Sequence, residues 1–405
     1  MLHTVSSQDA IRIIRENTAA AAETETVSLS DALGRICSED LFSSEYVPGF
    51  DRSSVDGYAV RSGDTFGCSE SMPALLHLSG EVRMGEDRTA SVKKGQCIYT
   101  PTGGALAEGA DAVVMIEHTE TFDKETIGVE KAPAPGENIV FRGDDIRPGD
   151  PVLKKGQRIS PADIGLLSSL GILSVPVFRK LRIAVLSTGD ELVPSDTRPG
   201  PGQVRNINSA LLCAMIRSSN AEPVDLGIVP DERETLLRSL KNAVSDEKTD
   251  LVLLSGGSSA GILDNTAGIL SELGTVHFHG IAVKPGKPTL FGTVLEKPVF
   301  GLPGHPGAAY FIYEIFVKEA LSALHGIPSV RIPVRARLME TINKNHGREQ
   351  YGAVLLEQSV GELLAYPVRS KSGLISGLSG CNAYYVLDRN CEGVKAGAEI
   401  SVFLI

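Results

Sequence analysis

LRIAVLSTGDEL (181–192) and DLVLLSGGSSAG (250–261) are the two stretches that decide the fold. Each is an unbroken apolar run that ends in a polar, glycine-containing loop. A run with no polar alternation reads as a strand buried on both faces, the pattern of parallel sheets. The neighbouring segments supply the covering layers. NSALLCAMIRSS (208–219), DERETLLRSLKNAVS (231–245), DNTAGILSELG (264–274) and PGAAYFIYEIFVKEALSALHG (306–326) have helical period, the last giving a helix of about fifteen residues; VDLGIV (224–229), VHFHGIAV (276–283), TLFGTV (289–294) and VFGLPG (299–304) read as strands. Strands alternating with helices over 179–326 predict a doubly wound, mostly parallel α/β domain.

The texture differs on both sides of this block. Residues 5–22 predict an amphipathic helix with a Ser/Asp start. From 45 to 139, short β-like runs alternate with Gly-rich turns and predict a β-rich inserted domain. SPADIGLLSSLGI (160–172) predicts a helix with Ser160 as cap, Pro161 in the first turn and Asp163 at the positive end of the dipole. Residues 327–405 turn β again, as in VRIPVRARLM (330–339) and EISVFLI (399–405), and predict a small C-terminal β-barrel. The expected division is therefore a discontinuous, elongated linker domain at 1–44 and 140–178, the β-rich domain at 45–139, the α/β domain at 179–326 and the barrel at 327–405.

Composition narrows the function. Of 405 residues, 39 are Lys or Arg and 50 are Asp or Glu, a net charge of −11. That balance argues against a nucleic-acid or anionic-membrane binder, whose affinity comes from excess cation. Trp is absent and aromatics are 5%, which disfavours stacking platforms for single strands. The six Cys form no CxxC pair and read as buried thiols of a cytosolic protein. No signal peptide and no apolar run of roughly 18 residues is present, so a soluble, cytoplasmic protein is expected.

In open parallel sheets, ligands bind beyond the C-terminal strand ends. Four loops fall there: Ser187-Thr188-Gly189-Asp190-Glu191, Ser255-Gly256-Gly257 and its continuation, Lys284-Pro285-Gly286-Lys287-Pro288, and the loop holding Gly304 and His305. Backbone amides with two lysines make an anion site, and carboxylates beside an anion call for a hard cation such as Mg²⁺. Any one such loop is equally a tight turn, and Asp264 and Asp231 equally helix caps; capping is the expected role of Asp231. Asp51, Asp56, Asp144 and Asp145 read, on spacing alone, as turn residues. His277 and His279 share a strand face but have no accompanying Cys or His at metal-ligand spacing, so packing or a polar surface position is expected. P-loop, GxGxxG and GxSxG patterns are absent.

PGFDRSSVDGYAV (48–60), PTGGALAEGADAVVM (101–115), GENIVFRGDDIRPGD (136–150), ADIGLLSSLGI (162–172), STGDEL (187–192), SGGSSAGILDNT (255–266), VKPGKPTLFG (283–292) and GLPGHP (301–306) resemble, in order, motifs of the molybdopterin molybdenumtransferases, the MoeA and gephyrin E-domain family. The resemblance implies Mg²⁺-dependent insertion of molybdate into adenylylated molybdopterin, with release of AMP, in molybdenum cofactor biosynthesis. It implies a homodimer in which the loop around Asp56 faces the partner's α/β domain, and contacts with other cofactor-biosynthesis proteins and apo-molybdoenzymes. It carries catalytic roles to Asp56, Thr102, Asp145, Glu191 and Asp264, with Asp145, Glu191 and Asp264 as Mg²⁺ ligands. It places Asp190 and Asp231 near the cleft. Ser187, Thr188, Gly189, Ser255, Gly256, Gly257, Lys284, Lys287, Pro288, Gly304, His305, Arg348 and Ser376 become substrate or anion contacts. Ser258 and Ala260 stand where the family more often has valines, His305 where it has Asn, and Ala308 where it has a serine. These departures open two alternatives: a paralogue that inserts tungstate, or a non-catalytic molybdopterin-binding scaffold.

Overall fold

The computed structural model describes residues 4–20, 23–85, 91–256, 260–343, 347–368 and 375–405; the side chains of 260–264 lie outside the description. The chain forms two compact units, Met1–Glu25 with Val177–Ile405, and Thr26–Pro176.

In the larger unit a six-stranded sheet runs in the order Glu222–Val229, Arg182–Thr188, Leu251–Gly256, Lys297–Leu302, Leu290–Val294, Thr275–His279. The first four strands are mutually parallel, while Leu290–Val294 is antiparallel to both of its neighbours. Odd residues Ile183 and Val185 face one core and even residues Ala184 and Leu186 the other, which is why the strand reads as one apolar run. Helices Ile207–Ser218, Arg233–Ser245, Ala260–Leu273 and a long terminal helix cover the sheet. That last helix is longer than expected. It runs from Pro306 to Leu324 through a π-helical stretch, Tyr313–Val317.

The C-terminal barrel closes as expected. Pro333–Leu338 pairs with Glu399–Leu404, then Ala383–Leu387, Glu349–Ser359, Glu362–Pro367, and back in parallel to Pro333–Leu338. Val283–Lys284 of the α/β domain adds to the barrel strand in parallel, Lys284 opposite Gln350. Phe311 of the long helix stacks on Tyr351 and meets Tyr384 edge-on, so the outer barrel face shares the α/β core.

The first helix is shorter than the expected 5–22. It spans Ser7–Glu16, capped by Ser6, and ends where the Asn17 side-chain amide donates to the Ile13 carbonyl at 2.8 Å. Its Ala10 and Ile14 are buried in the core of the α/β body.

In the smaller unit the β-rich sheet has the order Ala112–Met115, Gly57–Val60, Gln96–Thr100, Ala74–Glu81, Thr126–Val129, Thr119–Thr121. Leu41–Phe42 pairs with Pro151–Leu153, and Arg52–Ser53 with Ile139–Val140, stitching the chain's exit from the linker to its return. The helix Pro161–Ser169 has the full capping box expected of Ser160 and Asp163.

Candidate functional site

Three of the four strand-end loops sit as their glycines dictate. Gly256 lies directly opposite Thr188, and a Cβ there would stand 2.1 Å from the Thr188 carbonyl oxygen. Only glycine lets these two strands close at their C-terminal ends. Gly286, at φ +111°, lies against Ile312, so the Lys284–Lys287 loop is seated on the long helix. Gly189 leaves room for the Glu191 carboxylate to fold back over it.

A polar network joins these ends. The Ser187 hydroxyl donates to Asn206 Oδ1 at 3.1 Å, and Asn208 Nδ2 donates to Ser255 Oγ at 2.8 Å and to the Gly304 carbonyl at 2.9 Å. Asn206 also caps its helix through the Ser209 amide. Asp231 is not the expected cap. Glu232 occupies that position without a side-chain bond, while Asp231 accepts from the Thr188 hydroxyl at 2.6 Å and its own amide donates to Asp190 Oδ1 at 3.2 Å. A strand-end hydroxyl and a loop carboxylate thus outcompete the local cap.

A cavity of about 820 Å³ in the larger unit lies between the α/β loops and the barrel mouth. Lys284, Lys287, Pro288, Gly304, His305 and Arg348 all line it. Ala308 lines it as well and is 3% exposed. No Asp or Glu occurs among its described lining residues, although the chain carries 50 acidic side chains. Two lysines and an arginine gathered on the wall of one cavity make an anion site. Ser376 is exposed and adjoins the lining residue Gly377 without lining the cavity itself. Gly257 and the side chain of Asp264 fall outside the described residues, while the main chain of Asp264 lies in the helix Ala260–Leu273.

Asp56, Thr102 and Asp145 belong to the smaller unit. Asp56 Oδ1 accepts from the Thr102 amide at 2.7 Å and hydroxyl at 2.8 Å. The amide first and the hydroxyl second hold the exposed carboxyl below the usual carboxylate range. The Thr102 loop is fixed in turn by Ser53–Gly103 and Ser53–Gly104 main-chain bonds. Asp145 is exposed, with its amide donating to the Val47 carbonyl.

The two histidines differ: the Nε2 of His279 is buried without a hydrogen-bond partner among the described residues, whereas His277 is held. His277 Nε2 meets Thr293 Oγ1 at 3.0 Å, and burial pushes its pKa down. No group of three or more metal-ligating side chains occurs among the described residues. All six cysteines are thiols, and burial raises Cys97 to about 12. No helix among the described residues is long and apolar enough to cross a membrane.

Three residues of this region escaped the sequence reading: Asn208, Gln350 and Tyr385. Gln350 Nε2 donates to the Tyr385 hydroxyl at 2.9 Å in the cavity wall.

Family models match nearly the whole chain: the MoeA N-terminal region (domain I and II) over 5–171, a probable molybdopterin binding domain over 184–323, and the MoeA C-terminal region (domain IV) over 335–405. The molybdopterin molybdenumtransferase of Bacillus subtilis is 34% identical over 390 residues, covering 95% of this chain and 90% of that protein. That of Haemophilus influenzae is 33% identical over 385 residues, covering 94% and 93%. A crystal structure of the molybdopterin biosynthesis MoeA protein from Pyrococcus horikoshii superposes with a TM-score of 0.88 at 31% identity, covering 99% of this chain and 100% of that one.

Proposed function

The chain belongs to the MoeA family of molybdopterin molybdenumtransferases, transferases of molybdenum cofactor biosynthesis, and on that premise we propose that it inserts molybdate into adenylylated molybdopterin with release of AMP. The observation that supports this reading is the gathering of Lys284, Lys287 and Arg348 on the walls of one cavity whose described lining residues include no Asp or Glu. An oxyanion and a pyrophosphate must meet there, and fixed cations lower the repulsion between them. The lysine loop is held on both sides, by Ile312 behind Gly286 and by strand pairing of Lys284 with Gln350. The backbone that carries the two lysines is therefore fixed before the ligand arrives.

The sulfurs that receive the metal belong to the pterin, so no protein thiol is needed. Mg²⁺, when bound, would offset the charge of the pyrophosphate. It commonly binds one or two carboxylates and completes its shell with substrate phosphate and water. Glu191, folded over Gly189, and Asp190 and Asp231 beside it suit that mode; Asp264 and Asp145 are the family's additional candidates. Asp56, poised by Thr102, acts from the partner chain of a homodimer. The four-domain division, the cytoplasmic location and hand-over to other biosynthetic proteins or apo-molybdoenzymes belong to the same proposal. His305 and Ala308 line the cavity, so the choice between molybdate and tungstate is made there.

Titration with molybdate tests the anion assignment. Each charge-assisted bond is worth about 1.5–3 kcal/mol, so losing one lysine weakens binding by roughly tenfold or more. Equal molybdate affinity in wild type and in the double variant Lys284→Ala/Lys287→Ala would overturn it.

A further inference from the structure

The cavity is much larger than an oxyanion requires. A water's share of liquid volume is about 30 Å³, and a five-atom oxyanion fills only a few such volumes of the roughly 820 Å³ present. That size suits an organic ligand. The end remote from the lysine loop is the barrel mouth, and its construction is specific.

Along Glu349–Ser359 the side chains alternate. Tyr351 and Ala353 belong to the α/β core, whereas Val354 and Leu356 belong to the barrel core together with Tyr385. Gln350 and Gly352 share the parity of Val354, so they face the barrel interior at its mouth. Gly352 lies directly opposite Tyr385, and a Cβ on it would stand 2.3 Å from the phenol ring. The ring therefore lies on bare backbone, and the Gln350 amide fixes its hydroxyl at 2.9 Å.

This pair has unused hydrogen-bonding capacity with a defined layout. Tyr385 oxygen accepts from Gln350, which leaves the phenol proton available to donate. Gln350 keeps a second N–H and its carbonyl oxygen. Two donors and one acceptor, held side by side, match the edge of a nitrogen heterocycle. Ile342, Val368 and Leu378 supply apolar walls for its faces.

We infer that the barrel mouth is the heterocycle subsite of this cavity, with Gln350 and Tyr385, seated on Gly352, reading the ligand's ring edge while Lys284, Lys287 and Arg348 hold its anionic end. The inference rests on the reading of the cavity given under Proposed function. The ring is a pterin or an adenine, since both chemistries occur in an adenylylated pterin.

The test is a calorimetric titration of the full chain with three separate probes: molybdate, neopterin monophosphate and AMP. Wild type is compared with Gln350→Leu, Tyr385→Phe, Gly352→Ala and Lys284→Ala, each checked for an unchanged melting profile. Tyr385→Phe keeps the ring and removes only the hydroxyl, so it remains informative if Gly352→Ala misfolds. Tenfold or greater weakening of one heterocyclic probe in Gln350→Leu and Tyr385→Phe, with molybdate binding within twofold of wild type, supports the subsite. The probe affected identifies the ring. Unchanged binding of both heterocyclic probes in these variants, or no saturable binding of either to wild type, overturns the subsite even where Lys284→Ala weakens molybdate. Molybdate binding indifferent to Lys284→Ala overturns the underlying anion reading instead.

Discussion

Gly256→Ala tests how tightly the strand ends are closed. The added methyl would stand 2.1 Å from the Thr188 carbonyl oxygen and 2.3 Å from Thr188 Cγ2. The first of these is main chain in a paired strand, so no rotamer change relieves it. Overpacking in a rigid interior costs about 1–3 kcal/mol, and a clash with backbone belongs at the upper end. At roughly 2–4 °C per kcal/mol for a body of this size, Tm falls by about 6–12 °C. The strands part where Thr188 bonds Asp231 and Ser255 accepts from Asn208, so turnover falls too. Calorimetry and an AMP-release assay read the two effects. An unchanged Tm with unchanged turnover would show that these strand ends are slack, and would remove the argument that the loops are fixed by their glycines.

Three further outcomes follow from contacts on other elements. Glu319 is 4% exposed and accepts from Arg15 and from Arg331, each at 2.7 Å; Glu319→Ala leaves two cations facing an apolar core and costs about 2–4 kcal/mol, less than a fully buried pair because Arg15 is half exposed. A urea midpoint equal to wild type would contradict it. Asp163→Ala removes the capping box of Pro161–Ser169 and costs about 1 kcal/mol by the same measure, without a change in turnover. Thr102→Val removes the hydroxyl donor to Asp56, whose folded pKa lies below its unfolded value near 3.8. That stabilisation is present above 3.8 and lost as pH falls through the folded value, so the variant's carboxyl titrates at higher pH, as NMR would show; an unmoved titration would refute the bond.

The α/β domain was legible because burial on both faces leaves an unbroken apolar run, as in 181–188. The Ser160 and Asp163 cap was legible because its partners are three residues apart. The lysine loop was found from its place after a strand. Asn208–Ser255 and Gln350–Tyr385 were not, since their partners are 47 and 35 residues apart and each residue is ordinary in its own segment. Asp231 was misread for a related reason. It stands at the start of a helical segment, where a cap is expected, but the distant hydroxyl of Thr188 holds it instead. The first helix joined the α/β core through Ala10 and Ile14, a packing choice that its amphipathic period left open.

The central claim is tested most directly by anaerobic turnover. Adenylylated molybdopterin and Mg²⁺ are mixed with wild type or Lys284→Ala/Lys287→Ala, with and without molybdate, and AMP and cofactor are followed. The account predicts molybdate-dependent AMP release with cofactor formation in wild type. In the double variant it falls by about a hundredfold or more, at roughly 1.5–3 kcal/mol of charge stabilisation per lysine. AMP release that ignores molybdate, or that survives loss of both lysines, would contradict it.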